Sequence, residues 1–150
     1  MNSGRLIEVK DFETMTVSRV ETPDVDLSVV IPTFNESHGI SQIIRSLHSS
    51  LKELQINFEI ILVDDDSPDD TWKIAAELIK EIPELTVIRR VGVKGLATAV
   101  ICGWHYSNGQ LLGVMDGDGQ HPTEVIKDLF EVFNENGQEV AVASRYLPHG

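Results

Sequence analysis

Five short, continuous apolar runs separated by four segments of helical period constrain this chain more than any other feature. The strands built on these runs are expected at 27–31, 58–63, 86–90, 111–115 and 140–143. The intervening segments, 38–54, 71–81, 96–106 and 123–134, carry apolar residues at helical spacing, as in Val125, Ile126, Leu129, Phe130 and Phe133. An apolar run without alternation marks a strand covered by helices on both sheet faces, and strands that alternate with helices join in parallel. The fold class expected is therefore α/β with a mostly parallel sheet. Gly137 is a suitable stop for the last helix. Residues 1–26 mix charged and apolar side chains without a sustained period and are expected to be a loosely held extension, with one domain over 27–150.

Composition narrows the function classes. The chain has 150 residues, enough for one sizeable core, and a formal charge of −12 from 24 acidic and 12 basic residues. Such a balance argues against a general nucleic-acid or anionic-membrane surface, which needs clustered Lys and Arg, so any phosphate must be met locally. The one cysteine, Cys102, lies in an apolar helical pattern and reads as a core residue, compatible with a reducing compartment. No stretch approaches the roughly 20 apolar residues of a membrane span, and no basic-then-apolar leader is present. The expected location is cytoplasmic, with the cytoplasmic face of a membrane as the alternative.

In open parallel sheets, ligands bind beyond the carboxyl ends of the strands. The polar residues collect there. The first strand runs into Pro32-Thr33-Phe34-Asn35-Glu36 and the second into Asp64-Asp65-Asp66-Ser67-Pro68-Asp69-Asp70-Thr71. The third runs into Arg89-Arg90 and then Lys94-Gly95, and the fourth into Met115-Asp116-Gly117-Asp118-Gly119-Gln120-His121-Pro122. Alternate residues of an extended chain point the same way, so Asp116 and Asp118 are candidates to share one hard divalent cation, Mg2+ or Mn2+, with Gln120 as a further ligand. An Asp-Gly turn with solvated carboxylates is the alternative. A calcium hand is excluded, because His121 stands where its sixth residue must be Gly and Lys127 where its twelfth must be Glu. Capping by Asn35 or Glu36 for the first helix, and by Asp70 or Thr71 for the second, would explain part of the polar rim but not two acidic clusters.

Neither glycine-rich phosphate cradle is present, since the first strand is followed by Pro-Thr-Phe rather than G-x-G-x-x-G, and G-x-x-x-x-G-K-[ST] does not occur. A receiver domain would need its acidic pair after the first strand. Five ordered motifs instead resemble another family: Val29-Val30-Ile31-Pro32-Thr33-Phe34-Asn35-Glu36, Asp64-Asp65-Asp66-Ser67-Pro68-Asp69, Gly95-Leu96-Ala97-Thr98-Ala99, Met115 to Pro122, and Ala143-Ser144-Arg145-Tyr146. Over about residues 27–147 the chain is similar to the family 2 glycosyltransferases of GT-A fold, in the dolichol-phosphate mannose synthase branch. The resemblance implies that Pro32, Phe34, Asn35 and Glu36, with Asp64 and Asp66, form the pocket for base and ribose, and that Lys94 approaches the donor. It implies a metal site of Asp116, Asp118 and Gln120 on the sugar-nucleotide diphosphate, with Gly117 in the same loop. It further implies an arginine, Arg145, that meets the acceptor phosphate; Asp118 and Arg145 are thus the residues expected to act in catalysis. Phe34 stands where tyrosine is usual. Gly117 and Gly119 replace the usual Ala and Leu, and are expected to loosen the loop.

The implied reaction moves a sugar, mannose from GDP-mannose being favoured over a UDP-sugar, to a polyprenyl or dolichyl phosphate. An acceptor phosphate monoester has a second pKa near 6 and is largely ionised at neutral pH, so inversion at C1 in one displacement needs no strong base. The family continues beyond the equivalent of Gly150 into acceptor and bilayer-facing segments. The chain is therefore expected to be the donor-binding part of such an enzyme, and a non-catalytic nucleotide-binding fragment is the alternative.

Overall fold

The computed structural model describes residues 4–10, 24–120 and 122–137. Its elements run β1 (Arg5–Val9), β2 (Val25–Thr33), α1 (Ile40–Glu53), β3 (Phe58–Asp64), α2 (Thr71–Glu77) continued by a 3-10 turn (Leu78–Lys80), β4 (Leu85–Arg90), α3 (Leu96–His105), β5 (Gly109–Val114) and α4 (Glu124–Asn136). The strands form one sheet in the order β1-β4-β3-β2-β5, and every pairing among the described residues is parallel. The expected strand at 140–143 lies outside the described residues.

Alternation within each strand explains the two-sided burial. Val29, Ile31, Ile60 and Leu62 face α1, where they pack with Ile40, Ile44, Leu47 and Leu51. Val30, Ile61, Val63 and Ile88 face the other way and pack with Ala99 and Cys102 of α3. Each such fully buried side chain contributes roughly 1.5–3 kcal/mol relative to exposure. Where both faces are covered, as at 29–31 and 60–63, the strands read as unbroken apolar runs, whereas β5, an edge strand among the described residues, leaves Leu112 and Val114 exposed.

One expectation is corrected. Residues 1–26 are not wholly a loose extension, because Arg5–Val9 pairs in parallel with β4 from Thr86 to Arg90 and forms one edge of the sheet. This strand has only five residues with charges at both ends of the apolar pair, so its pattern carries little signal without the β4 partner. β2 also begins earlier than the apolar run, at Val25.

Strand order places the site. From β2 the chain steps through β3 to β4 in one direction, then α3 carries it back across to β5 on the other side of β2. The order reverses between β2 and β5, and a crevice opens at the carboxyl ends flanking such a switch point.

Candidate functional site

Two loops build the left wall of this crevice, and backbone groups hold them together. Asn35 N–H donates to Ser67 Oγ (2.9 Å), Glu36 N–H to Thr71 Oγ1 (3.0 Å) and Ser37 N–H to Asp69 Oδ2 (3.1 Å). The loop after β3 thus supplies acceptors for three consecutive amides of the loop after β2. Asn35 (φ 57°), Asp66 (φ 55°) and Asp70 (φ 64°) take the left-handed conformation, which Asn and Asp tolerate better than other side chains. Helix capping does not account for these residues. The first residue before α1 is Gly39 and that before α2 is Asp70, and neither makes a side-chain capping bond.

The acidic triplet divides into three roles. Asp64 is fully buried: Oδ1 accepts Ser67 N–H (2.8 Å), and Oδ2 accepts Ser67 Oγ–H (2.6 Å) and Thr33 Oγ1–H (2.9 Å). Burial pushes its carboxyl above the ordinary range, although the hydrogen bonds work against that shift. Asp64, expected to contact a nucleoside, turns its oxygens into the loop they organise and lines neither cleft. Asp66 pairs with Arg89 (2.6 Å), whose guanidinium also lies 4.3 Å from the Trp72 ring centroid. Asp66 does not line the crevice either. The residue that does is Asp65, which sequence reasoning passed over. Its signal was Arg90, a cation at the end of an apolar strand, which needs a buried carboxylate partner.

The crevice is a cleft of about 380 Å³. Pro32, Phe34 and Glu36 form one side, Asp65, Lys94 and Leu96 another, and Asp116, Gly117 and Asp118 the third. The Phe34 ring is 43% exposed, with Lys94 Nζ 4.7 Å from its centroid. Of the residues singled out in sequence, Pro32, Phe34, Glu36, Lys94, Asp116, Gly117 and Asp118 meet in this cleft. Asn35 serves the loop through its backbone, and Arg145 lies outside the described residues. Glu36, Gly117 and Asp118 also border a second cleft of about 560 Å³ between the N-terminal turns of α1 and α4.

Asp116 and Asp118 do not sit on an extended strand as the spacing argument assumed. β5 ends at Val114 and the pair occupies the turn that follows, yet both side chains are exposed and border the same cleft. Gln120 donates its backbone N–H to Asp118 Oδ1 (3.0 Å), and its side chain lines neither cleft. Gly117 meets close packing rather than open space. It is buried against the end of β2, where a Cβ would stand 2.6 Å from Thr33 Cγ2 and 3.2 Å from Pro32 O.

The charge here fits a divalent cation. Among the described residues neither Asp116 nor Asp118 forms an ion pair with Lys or Arg. Burial, then the Asp118 charge, then the Asp69 charge, push the Glu36 carboxyl above its ordinary value. Among the described residues, negative charge thus accumulates here without a salt-bridged Lys or Arg. Among the described residues no three His, Cys, Asp or Glu groups close round an ion. Two carboxylates that leave further positions to water and phosphate oxygens suit Mg2+ or Mn2+.

Comparison with known proteins agrees with this geometry. The profile of Glycosyl transferase family 2 matches residues 28–149. A dolichol-phosphate mannosyltransferase of Pyrococcus furiosus is 45% identical over 124 residues, which cover 83% of this chain and 34% of that protein. A polyprenol monophosphomannose synthase of Mycolicibacterium smegmatis is 34% identical over 126 residues, covering 81% and 46%. The chain therefore spans between a third and half of the length of these relatives. Among solved structures, the mannosyltransferase PcManGT of Pyrobaculum calidifontis, in complex with GDP-Man and Mn2+, superposes with a TM-score of 0.57 at 22% identity, over 69% of this chain and 30% of that one. The TarS protein of S. aureus gives 0.57 at 23% identity over 83% and 38%. These structures share the fold, including the expected GT-A arrangement of alternating strands and helices. The chain belongs to Glycosyl transferase family 2.

Proposed function

We infer that this chain binds a sugar nucleotide with a divalent metal ion and is the donor-binding part of a transferase that moves the sugar, mannose from GDP-mannose being favoured, to a polyprenyl or dolichyl phosphate. The observation that carries this reading is the cleft itself, which brings together the exposed Phe34 ring, the Asp65 carboxylate and two carboxylates, Asp116 and Asp118, that form no ion pair with Lys or Arg among the described residues. Phe34 offers a face on which a base stacks, and Asp65 Oδ2, which spends one lone pair on Gly95 N–H, keeps the other for a base N–H group. Lys94, over the Phe34 ring, supplies positive charge at the same end. Asp116 and Asp118 would hold Mg2+ or Mn2+, which when bound stabilises the negative charge that develops on the departing diphosphate. Glu36 and Asp118, on the ridge between the two clefts, border the space where the sugar-phosphate bond would lie.

The acceptor class comes from the named relatives, a dolichol-phosphate mannosyltransferase and a polyprenol monophosphomannose synthase. In this reading an ionised lipid phosphate attacks C1 directly, Arg145 orients it through paired hydrogen bonds, and no side chain acts as a strong base. Peripheral contact with a membrane follows from an acceptor of that kind. No described helix is long and apolar enough to cross one.

Calorimetric titration with GDP-mannose, UDP-glucose and UDP-N-acetylglucosamine in Mn2+ tests the donor. Binding of GDP-mannose in preference to both UDP-sugars, lost on chelation, is expected. A preference for a UDP-sugar would transfer the reading to a polyprenyl-phosphate hexosyltransferase of that donor. No binding to any of the three would overturn it.

A further inference from the structure

We propose that Arg90 is a positioning residue for nucleotide binding: it braces the Lys94-Gly95-Leu96 wall of the cleft against Asp65 without touching the ligand. The proposal rests on the reading of the cleft as a nucleotide site.

Arg90 ends β4 and is 1% exposed, the largest fully buried side chain among the described residues. Every arm of its guanidinium is used. Nε and Nη2 donate to Asp65 Oδ1 (2.7 and 2.6 Å), Nη1 donates to Thr98 Oγ1 (3.0 Å) and Nη2 also donates to the Gly95 carbonyl (3.0 Å). Gly95 N–H donates to Asp65 Oδ2 (2.7 Å), which closes a ring of Asp65, Arg90 and Gly95. Thr98 Oγ1–H donates to the Gly95 carbonyl as well.

This ring joins the exits of β3 and β4 to the start of α3. Asp65, Lys94, Gly95 and Leu96 all line the cleft, whereas Arg90 and Thr98 do not. Gly95 has φ 140° and ψ 134°, a backbone open to glycine but not to other residues, so the wall turns abruptly here and has little regular structure to hold it. α3 begins immediately after and makes no side-chain capping bond. The brace is thus the principal polar link fixing where Lys94 stands over Phe34 and where the Asp65 carboxylate faces.

A planar fork suits this task. A buried ion pair gives uncertain net stability compared with apolar packing, and its better-attested use is specificity of arrangement. Lysine keeps the charge, but its single ammonium cannot serve Asp65, Thr98 and Gly95 in the same fixed plane.

The test compares R90K and T98V with L47A, a stability control in the core under α1, on the opposite sheet face from Arg90's neighbours Ala99 and Cys102. GDP and GMP titrations with and without Mn2+, urea unfolding and amide hydrogen exchange at Gly95 and Leu96 are measured on each. R90K is expected to weaken GDP and GMP by a similar factor, about tenfold, and T98V by about threefold, because the loss lies in the nucleoside wall. Exchange at Gly95 accelerates in both. L47A, whose core cavity lowers the urea midpoint, retains wild-type affinity and Gly95 protection below its unfolding transition. Wild-type affinity in folded R90K and T98V would overturn the positioning role alone, as would an equal loss in L47A. Failure of the wild-type chain to bind GDP or GMP would overturn the nucleotide reading and the proposal with it. T98V decides the matter if R90K does not fold, since it removes two hydrogen bonds and leaves the buried pair intact.

Discussion

Replacement of Asp64 separates a structural carboxylate from a ligand-binding one. Its two oxygens accept three hydrogen bonds inside the loop after β3, from Ser67 N–H, Ser67 Oγ–H and Thr33 Oγ1–H, and the side chain has no exposed surface. Asp64→Ala leaves all three donors without that acceptor and opens a small void. At about 1–3 kcal/mol for each unsatisfied buried donor, with partial relief from water entry, the loss is about 3–5 kcal/mol. For a chain of this size that lowers the unfolding midpoint by roughly 6–20 °C. Asp64→Asn is milder. Its carbonyl replaces Oδ1 opposite Ser67 N–H, and its amide donates to the Thr33 and Ser67 hydroxyls, which can rotate to accept. Two hydroxyl protons lose their acceptor, and the loss falls to about 1–2 kcal/mol. Urea unfolding followed by far-UV circular dichroism measures the stability order wild type, Asn, Ala. GDP titration of folded Asp64→Asn is expected to give an affinity within about threefold of wild type, because the loop backbone is retained. An Asn variant as stable as wild type that has lost GDP binding would refute the reasoning and return Asp64 to the cleft.

Asp118→Ala should weaken Mn2+-dependent sugar-nucleotide binding more than tenfold and abolish the effect of a chelator; equal affinity with and without chelator in the wild type would remove the metal from the site. Burial pushes the Asp69 carboxyl up, but hydrogen bonds from Thr71 and Ser37 outweigh it and hold the group at about 2. A carboxyl depressed below its ordinary 3.8 contributes stability that is present above about pH 4 and is lost as pH falls toward 2. The stability difference between wild type and Asp69→Asn should therefore shrink over that window in urea titrations, and a pH-independent difference would contradict the assignment. Burial pushes the Cys102 thiol up to about 11, so its reaction with an aromatic disulfide at pH 8 should follow unfolding of the chain; rapid labelling of the native protein would show the α3 side of the sheet to be open.

The sequence by itself determined the fold class, because apolar periodicity is a local property. A strand covered on both faces is apolar at successive positions, as 60–63 is, and a helix covered on one face must repeat at its own spacing, as in α4. It also determined which loops line the cleft, since parallel strands put all their exits on one edge and the polar motifs follow those exits. Only the tertiary structure decided which side chain within a motif faces the cleft. Asp64, Asp65 and Asp66 are identical in sequence terms, and the register that sets Asp64 beside Arg89 sends one inward to Thr33, one to buried Arg90 and one to the surface. The β1 strand has the same origin: Arg5–Val9 carries too few apolar residues to declare itself, and its extended form depends on the hydrogen bonds that the edge of β4 supplies. Gly117 gives the converse case, a residue whose sequence suggests only local flexibility, while the end of β2 lies where its side chain would be. Local composition fixes what a segment can form; distances between segments remote in sequence decide which of its atoms are left for a ligand.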